Sequence, residues 1–333
     1  MLSILLPVNK FTEYFLGVVS SLISSVMLLK IPTQLVVVIN SESISEKALI
    51  EEALNYYHFE KILIQTAADN LSDVLNFGLD FCKYDLVARM DQDDVSLRFR
   101  FQAQVEFLIQ NPDFALIGGQ AVLLDSKNRV IGEALYPVFT HKIQKQLRYS
   151  NCFAHPAVMF RKSQVLKVGG YKNDFPMSED YYLWVRLAKS SKVANLNQYV
   201  LKYRVHSDQT SSTNSLIQLI STIRIIALNL EINEGKLETE LARCLMGYAN
   251  PNFDMMFEID SLKNNKELRA ATALLILRRS SIQVQLNFFQ KFNLIRIAVG
   301  SRPYFTFCNF GSYLVRRINR FILKKNCEDF HRL

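Results

Sequence analysis

Apolar runs and amphipathic stretches alternate along the first 90 residues. SILLPV (3–8), LVVVI (35–39), KILIQT (61–66) and DLVARM (85–90) are short and apolar. Runs of that length, bounded by polar residues, read as buried strands. Longer amphipathic stretches lie between them. One covers 13–29, one runs from Ser45, a candidate N-cap, to His58, and one is capped by Asn70 and ends near Phe81. This alternation predicts an α/β fold with parallel strands and helices on both faces of the sheet. Ligands of such sheets bind beyond the carboxyl ends of the strands.

Further along, LRFRFQAQVEFLIQ (97–110) predicts a helix stopped by Asn111-Pro112, and FALIGGQAVLLD and RVIG flank the turn DSKN as a hairpin would. Residues 140–210 mix short elements, and from about 215 the pattern is helical. A boundary is expected near residue 214, after the polar stretch HSDQTSSTNS (206–215). That gives an α/β domain over 1–214 and a helical region over 215–333. The uncharged run at 14–29 is short for a bilayer, which needs about 20 residues. Its serines at 20, 21, 24 and 25 give it one polar face, so a soluble amphipathic helix is expected.

Composition adds compartment and partners. The 333 residues are 49% hydrophobic with 11 Gly and 8 Pro, which fits a folded chain with ample core. The five cysteines are scattered without a CxxC, so a reducing compartment and no zinc site are expected. MLSILLPVNK lacks a basic n-region, so no signal peptide is expected. The charge is lopsided. Residues 278–333 hold eleven Lys or Arg, two acids and ten Phe or Tyr, whereas the whole chain is only +8. Such a tail suits an anionic membrane surface; a solvated basic subdomain is the plainer reading, and nucleic acid is not expected.

The chemistry concentrates where the fourth apolar run stops, at ARMDQDD. In extended chain, residues two apart point to the same side, so Asp91 and Asp93 can face one point. Two such charges repel unless a cation or proton lies between them, and carboxylate oxygens suit hard cations such as Mg²⁺ or Mn²⁺. The alternative is a solvated turn in which Asp94 caps the next helix. No GxGxxG follows the first strand and no GxxxxGK[ST] occurs, so a nucleotide would be held through a metal rather than a glycine-rich loop.

SILLPVN, LNFGL, ARMDQDD followed by RFQAQVEFLIQNP, IGG, AHPAVMFRK, GGY, SEDYYLWVRLA and YRVHSDQTS stand in this order over roughly residues 1–212. In these the chain resembles the family 2 glycosyltransferases, inverting enzymes of GT-A fold, in the style of bacterial O-antigen, capsule and exopolysaccharide transferases.

The resemblance implies a Rossmann-like mixed, mostly parallel sheet, with nucleotide-sugar and metal binding in 1–125 and the acceptor and base region in 126–214. It implies Asp91, Asp93 and His206 around Mn²⁺ or Mg²⁺, and Asp180 as general base with Glu179 as its neighbouring alternative. Pro7, Asn9, Asn40, Asn70, Asp73 and Arg89 join Asp91 and Asp93 around the nucleotide-sugar. His155, Trp184 and Asp94 are expected near the acceptor. Two positions depart from the family: Asn40 stands near the aspartate that reads uracil, and Asn70-Leu71-Ser72 lacks the usual glycine.

The implied activity is transfer of a hexose from a UDP-sugar to a sugar on a polyprenyl-diphosphate-linked glycan. UDP-galactose and a β1,3 linkage are favoured over UDP-glucose or UDP-N-acetylhexosamine. The implied location is peripheral, on the cytoplasmic face of the inner membrane. A nucleotide-sugar or glycan binding protein without catalysis is the rival reading.

Overall fold

A computed structural model describes residues 1–206, 215–232, 237–246 and 256–279. The four apolar runs form strands β1 (Leu2–Val8), β2 (Thr33–Asn40), β3 (Glu60–Thr66) and β4 (Leu86–Arg89). They are parallel, in the order β3-β2-β1-β4. Helices α1 (Phe15–Val26), α2 (Ile44–Leu54) and α3 (Leu71–Phe81) connect them. β1 is buried at every position and β2 at all but its last, which is why both read as unbroken apolar runs.

Beyond β4 the sheet becomes mixed. β5 (Val95–Ser96) and α4 (Arg100–Gln110) come first, then β6 (Phe114–Leu124) and β7 (Val130–Ala134), the expected hairpin. After α5 (Thr140–Leu147) and a short 3-10 turn at His155–Ala157, β8 (Met159–Arg161) inserts antiparallel between β4 and β6. α6 (Lys162–Lys167) and α7 (Glu179–Ser190) lead to the long β9 (Lys192–Arg204), parallel to β6 and antiparallel to β5.

Local chemistry explains several elements. Asn70 caps α3, accepting from Asp73 N, as expected. The α2 cap is Ser43 rather than Ser45: its hydroxyl accepts from Glu46 N. Asp94 caps nothing, because α4 starts later, after Phe99. Pro7 sits in a central strand without disrupting it. Leu5 O accepts from Met90 N, so Pro7, two residues on, turns its missing donor towards a neighbour that has already left β4. The serine stripe of α1 is only half solvent-facing. Ser20 and Ser24 are exposed, whereas Ser21 and Ser25 are buried and bond Ser96 of β5 at 3.1 Å each. Gly78 lets α3 approach the sheet; a Cβ there would lie 2.4 Å from Leu5 Cδ1 and 2.6 Å from Val38 Cγ2.

The chain divides into two compact units. The first is residues 1–174 with 179–206; the second is 175–178 with 207–333. The described part of the second is helical: α8 (Ser215–Asn229), α9 (Leu237–Met246), α10 (Asp260–Asn264) and α11 (Lys266–Arg279). α8 packs on α9 and α11 through buried residues such as Leu219, Ile223, Leu241 and Leu268. The segment 175–178 joins this unit, with Gln218 Nε2 donating to Met177 O at 2.9 Å and Ser178 Oγ 3.2 Å from Thr222 Oγ1. The expected boundary near residue 214 and the basic, aromatic stretch from residue 280 onward lie outside the described residues. Among the described residues no helix is long and apolar enough to cross a membrane.

Candidate active site

The carboxyl end of β4 carries Asp91, Asp93 and Asp94, whose nearest ligand atoms all lie within 4.8 Å of one another. Each is held differently. Asp91 pairs with Arg89, which is only 3% exposed. Asp93 Oδ2 accepts from His206 Nε2 at 2.9 Å. Asp94 is fully buried, and its Oδ1 accepts from Arg204 N at 2.8 Å. Asp94 Oδ2 has no hydrogen-bond partner among the described residues.

The end of β9 fixes this loop. Arg204 Nε donates to Asp93 O at 2.8 Å, Nη1 donates to Asn128 Oδ1 at 2.9 Å, and the guanidinium lies 4.1 Å from the Tyr14 ring centre. His206, two residues on, therefore arrives beside Asp93. Gln92 and Asn9 clasp the loop to the end of β1: Gln92 Oε1 accepts from Asn9 N and Gln92 Nε2 donates to Asn9 Oδ1, both at 2.8 Å.

The cluster is electrostatically costly as it stands. Burial, and then repulsion from Asp93, push the Asp91 carboxyl up, with Arg89 pulling against both. Burial, Asp91 and Asp93 push Asp94 well above the ordinary carboxylate range. Crowded carboxylates, one with an orphaned buried oxygen, plus an adjacent imidazole form a donor set that fits a hard divalent cation.

A second carboxylate stands at the same end of the sheet. Asp180, in the first turn of α7, is half-buried, and burial raises its pKa. Its Oδ1 accepts from Tyr181 N at 2.6 Å and its Oδ2 from Asn151 Nδ2 at 2.8 Å. Arg89 also interacts with it and opposes the rise, so one buried guanidinium serves both carboxylate groups. Near Asp180 the Tyr171 hydroxyl bonds His155 Nε2 at 2.9 Å, and burial, then Arg89, holds this imidazole well below its usual pKa and so neutral. Glu179 is buried.

Comparison with known proteins decides the family. The family described as Glycosyl transferase family 2 matches residues 3–169, half of the chain. The chain belongs to glycosyl transferase family 2. Its architecture is of the GT-A type. Over 146 residues it is 40% identical to the O-antigen biosynthesis glycosyltransferase WbnJ of Escherichia coli, covering 43% of this chain and 56% of WbnJ. The chain thus spans little over half the length of that relative. Over 195 residues it is 27% identical to an Escherichia coli UDP-Gal:alpha-D-GlcNAc-diphosphoundecaprenol beta-1,3-galactosyltransferase, covering 58% of this chain and 70% of that protein. In fold it is similar to the mannosyltransferase PcManGT from Pyrobaculum calidifontis, solved with GDP-Man and Mn2+. The TM-score is 0.54 at 12% identity, covering 97% of this chain and 87% of that one.

Several residues that the family resemblance placed around ligands also have structural partners. Asn40 closes on one peptide unit: Ala68 N donates to its Oδ1 at 2.9 Å, and its Nδ2 donates to Ala68 O at 3.1 Å. Both ends of the amide that was to read uracil are thereby engaged in fixing the loop after β3. Asn70 and Asp73 cap α3, with Asp73 N donating to Asn70 Oδ1 at 3.0 Å and Asn70 Nδ2 donating to Asp73 Oδ2 at 2.7 Å. Asp73 Oδ1 also accepts from Asn173 Nδ2 at 3.0 Å.

Trp184 was expected against the acceptor sugar. It is fully buried, packed among Phe153, His155 and Phe160, so its faces belong to the core. Asp94, also expected there, is sealed beneath the acidic cluster. Pro7 is buried at the end of β1, with exposed Asn9 two residues on.

The structure also reveals residues whose roles the sequence hid. Gln92 and Arg204 hold the acidic loop. Asn76 of LNFGL accepts from Tyr171 N and donates to Tyr171 O, both at 2.9 Å, tying α3 to the GGY segment. Arg100 and Gln104 of RFQAQ are buried and bond carbonyls: Arg100 Nη2 to Arg89 O at 2.7 Å and Gln104 Nε2 to Ala157 O at 2.8 Å. Two polar residues four apart on the buried face of α4 were the available signal.

Proposed function

We propose that this chain is a metal-dependent inverting glycosyltransferase of polysaccharide repeat-unit assembly. The observation that carries the reading is the pairing of two opposed carboxylate environments around Arg89: a crowded, cation-hungry cluster and a single, hydrogen-bonded, pKa-raised Asp180. Asp91, Asp93 and His206 would hold Mn²⁺ or Mg²⁺, which supplies charge neutralisation to the departing diphosphate. Asn9 and the backbone around Pro7 and Asn40, with Arg89 buried behind Asp91, would take the nucleotide-sugar at the carboxyl end of the sheet.

Asp180 takes the proton of the acceptor hydroxyl. That oxygen forms a bond to the anomeric carbon as the carbon–diphosphate bond breaks, and the electron pair leaves with UDP. One direct displacement turns an α-linked donor into a β-linked product. The raised pKa suits Asp180 to receive a proton, and Glu179 beside it is the alternative acceptor of that proton. In this reading His155, bonded to the Tyr171 hydroxyl, stands on the acceptor side of Asp180.

We assign the donor as a UDP-hexose, UDP-galactose first, with β1,3 transfer to an N-acetylhexosamine on a polyprenyl diphosphate; the named activity of the galactosyltransferase relative supports this. The basic, aromatic stretch 278–333 supports peripheral attachment to the cytoplasmic face of the inner membrane. The test is a donor screen. Purified protein, Mn²⁺ and a synthetic HexNAc-diphosphate-lipid are incubated with each UDP-sugar, and UDP release and product mass are followed. Transfer from one donor, abolished by EDTA, is the expected result. UDP binding without transfer from any donor to this acceptor would favour the non-catalytic binding protein. Release of the protein from spheroplast membranes at low salt would overturn the attachment.

A further inference from the structure

We propose that Asn151 is a positioning residue for Asp180, aiming the carboxylate that receives the acceptor's proton. The inference rests on the reading of Asp180 as the base. It starts from the orientation of one amide. Asn151 Oδ1 accepts from Phe153 N at 3.1 Å, two residues along its own chain. Only the oxygen end of an amide can accept an N–H, so this bond fixes which end faces which way. The NH₂ end is left pointing at Asp180, and Nδ2 donates to Oδ2 at 2.8 Å.

The segment that holds Asn151 is itself fixed. Cys152 and Phe153 are buried, and Asn195 Nδ2 donates to Cys152 O at 3.0 Å. The Phe153 ring packs edge-on against Trp184, one turn after Asp180 on the same helix. Tyr181, the residue after Asp180, donates its hydroxyl to Leu147 O at 2.7 Å. Donor and acceptor are thus carried by two segments that are locked to each other, so the Asn151–Asp180 bond does not have to order anything when substrate arrives.

The bond has a chemical consequence as well as a geometric one. Burial disfavours the ionised carboxylate, and an N–H donated to the charged form favours it. The other charged or titratable groups around Asp180 are Arg89 from β4, Tyr171 with its partner His155, and Glu179 on its own helix. Asn151 adds a neutral side-chain donor to the backbone donor of Tyr181. It keeps the base ionised while leaving it basic enough to accept a proton, and it holds one oxygen so that the remaining lone pairs face the acceptor.

The test reads Asp180 directly. The side-chain carboxyl is followed by ¹³C NMR against pH in the full chain, its signal assigned by its loss in Asp180→Asn. Asn151→Leu removes the donor at similar size and is expected to raise the Asp180 midpoint by about one pH unit. Asn151→Asp keeps an acceptor for Phe153 N–H and is expected to raise it further; it carries the test if the leucine variant does not fold. In transfer assays the acid limb of kcat/KM moves with the midpoint, and kcat falls about ten- to a hundred-fold with KM little changed. A purely structural role would lower turnover equally at every pH and leave the midpoint in place, and that result overturns the proposal. Absence of transfer in the wild-type protein would sink the base assignment instead, while the titration still decides whether Asn151 governs Asp180.

Discussion

Two groups of carboxylates sit at one end of the sheet and are treated in opposite ways. Asp91, Asp93 and Asp94 are crowded together, and Asp91 and Asp93 raise the cost of ionising their neighbours. Asp180 stands with donors on both oxygens, Tyr181 N and Asn151 Nδ2. The first arrangement leaves negative charge and a buried orphan oxygen for something positive to complete. The second completes itself and leaves only proton affinity. In the proposed reading, charge density and hydrogen-bond satisfaction, more than residue type, separate a cation site from a proton acceptor built of the same side chain.

The comparison breaks most visibly at Asp180. Asp180→Asn is expected to lower kcat by about 10²–10⁴-fold while UDP still binds; full turnover would move the base to Glu179. Wild-type kcat/KM is expected to carry a pH signature from the same group. Because burial raises the Asp180 pKa, the protonated, inactive form persists to higher pH than for an ordinary aspartate. Transfer therefore rises with pH through that raised midpoint and reaches its plateau above it, on an acid limb displaced upward from about 3.9. Asp93→Ala acts on the other side of the comparison. It is expected to lower transfer by about a hundred- to a thousand-fold and to abolish the response to Mn²⁺.

Smaller effects sharpen how the two sides are supported. Asn76→Ala unties α3 from Tyr171, leaving a buried peptide unit unmatched. It should cost about 1–3 kcal/mol, read as a lower Tm, with metal-dependent nucleotide binding retained. Met177, two residues before Glu179, has a left-handed backbone with φ of 64°. Met177→Gly relieves that strain and is expected to stabilise by about 1 kcal/mol or less, since glycine's own entropy offsets part of the gain.

Much of the frame was legible in the sequence because its signals are local. The four apolar runs became parallel strands, DSKN became the β6–β7 turn, and Asn70 became the α3 cap. The two-residue spacing of Asp91 and Asp93 announced a shared direction, and the structure places both in one cluster with His206 beside it. What stayed hidden depends on distant partners. Nothing local announces that the Asn40 amide bonds both polar groups of Ala68, or that Asn76 and Gln92 bond Tyr171 and Asn9. Trp184 has the composition of a sugar platform, but its burial follows from Phe153, His155 and Phe160 closing around it. The Ser43 cap and the inward half of the α1 serines were misread for a simpler reason: a hydroxyl finds its partner in three dimensions.

In the proposed mechanism the two carboxylate groups divide the work, one holding the nucleotide through a cation and the other receiving a proton. The measurement that tests it most directly is calorimetric titration of UDP into wild type, Asp93→Ala and Asp180→Asn, with Mn²⁺ and with EDTA, beside turnover of the same samples. Metal-dependent binding is expected in wild type and Asp180→Asn, its loss in Asp93→Ala, and turnover in wild type alone. Equal UDP affinity in all three proteins, with or without Mn²⁺, would contradict it.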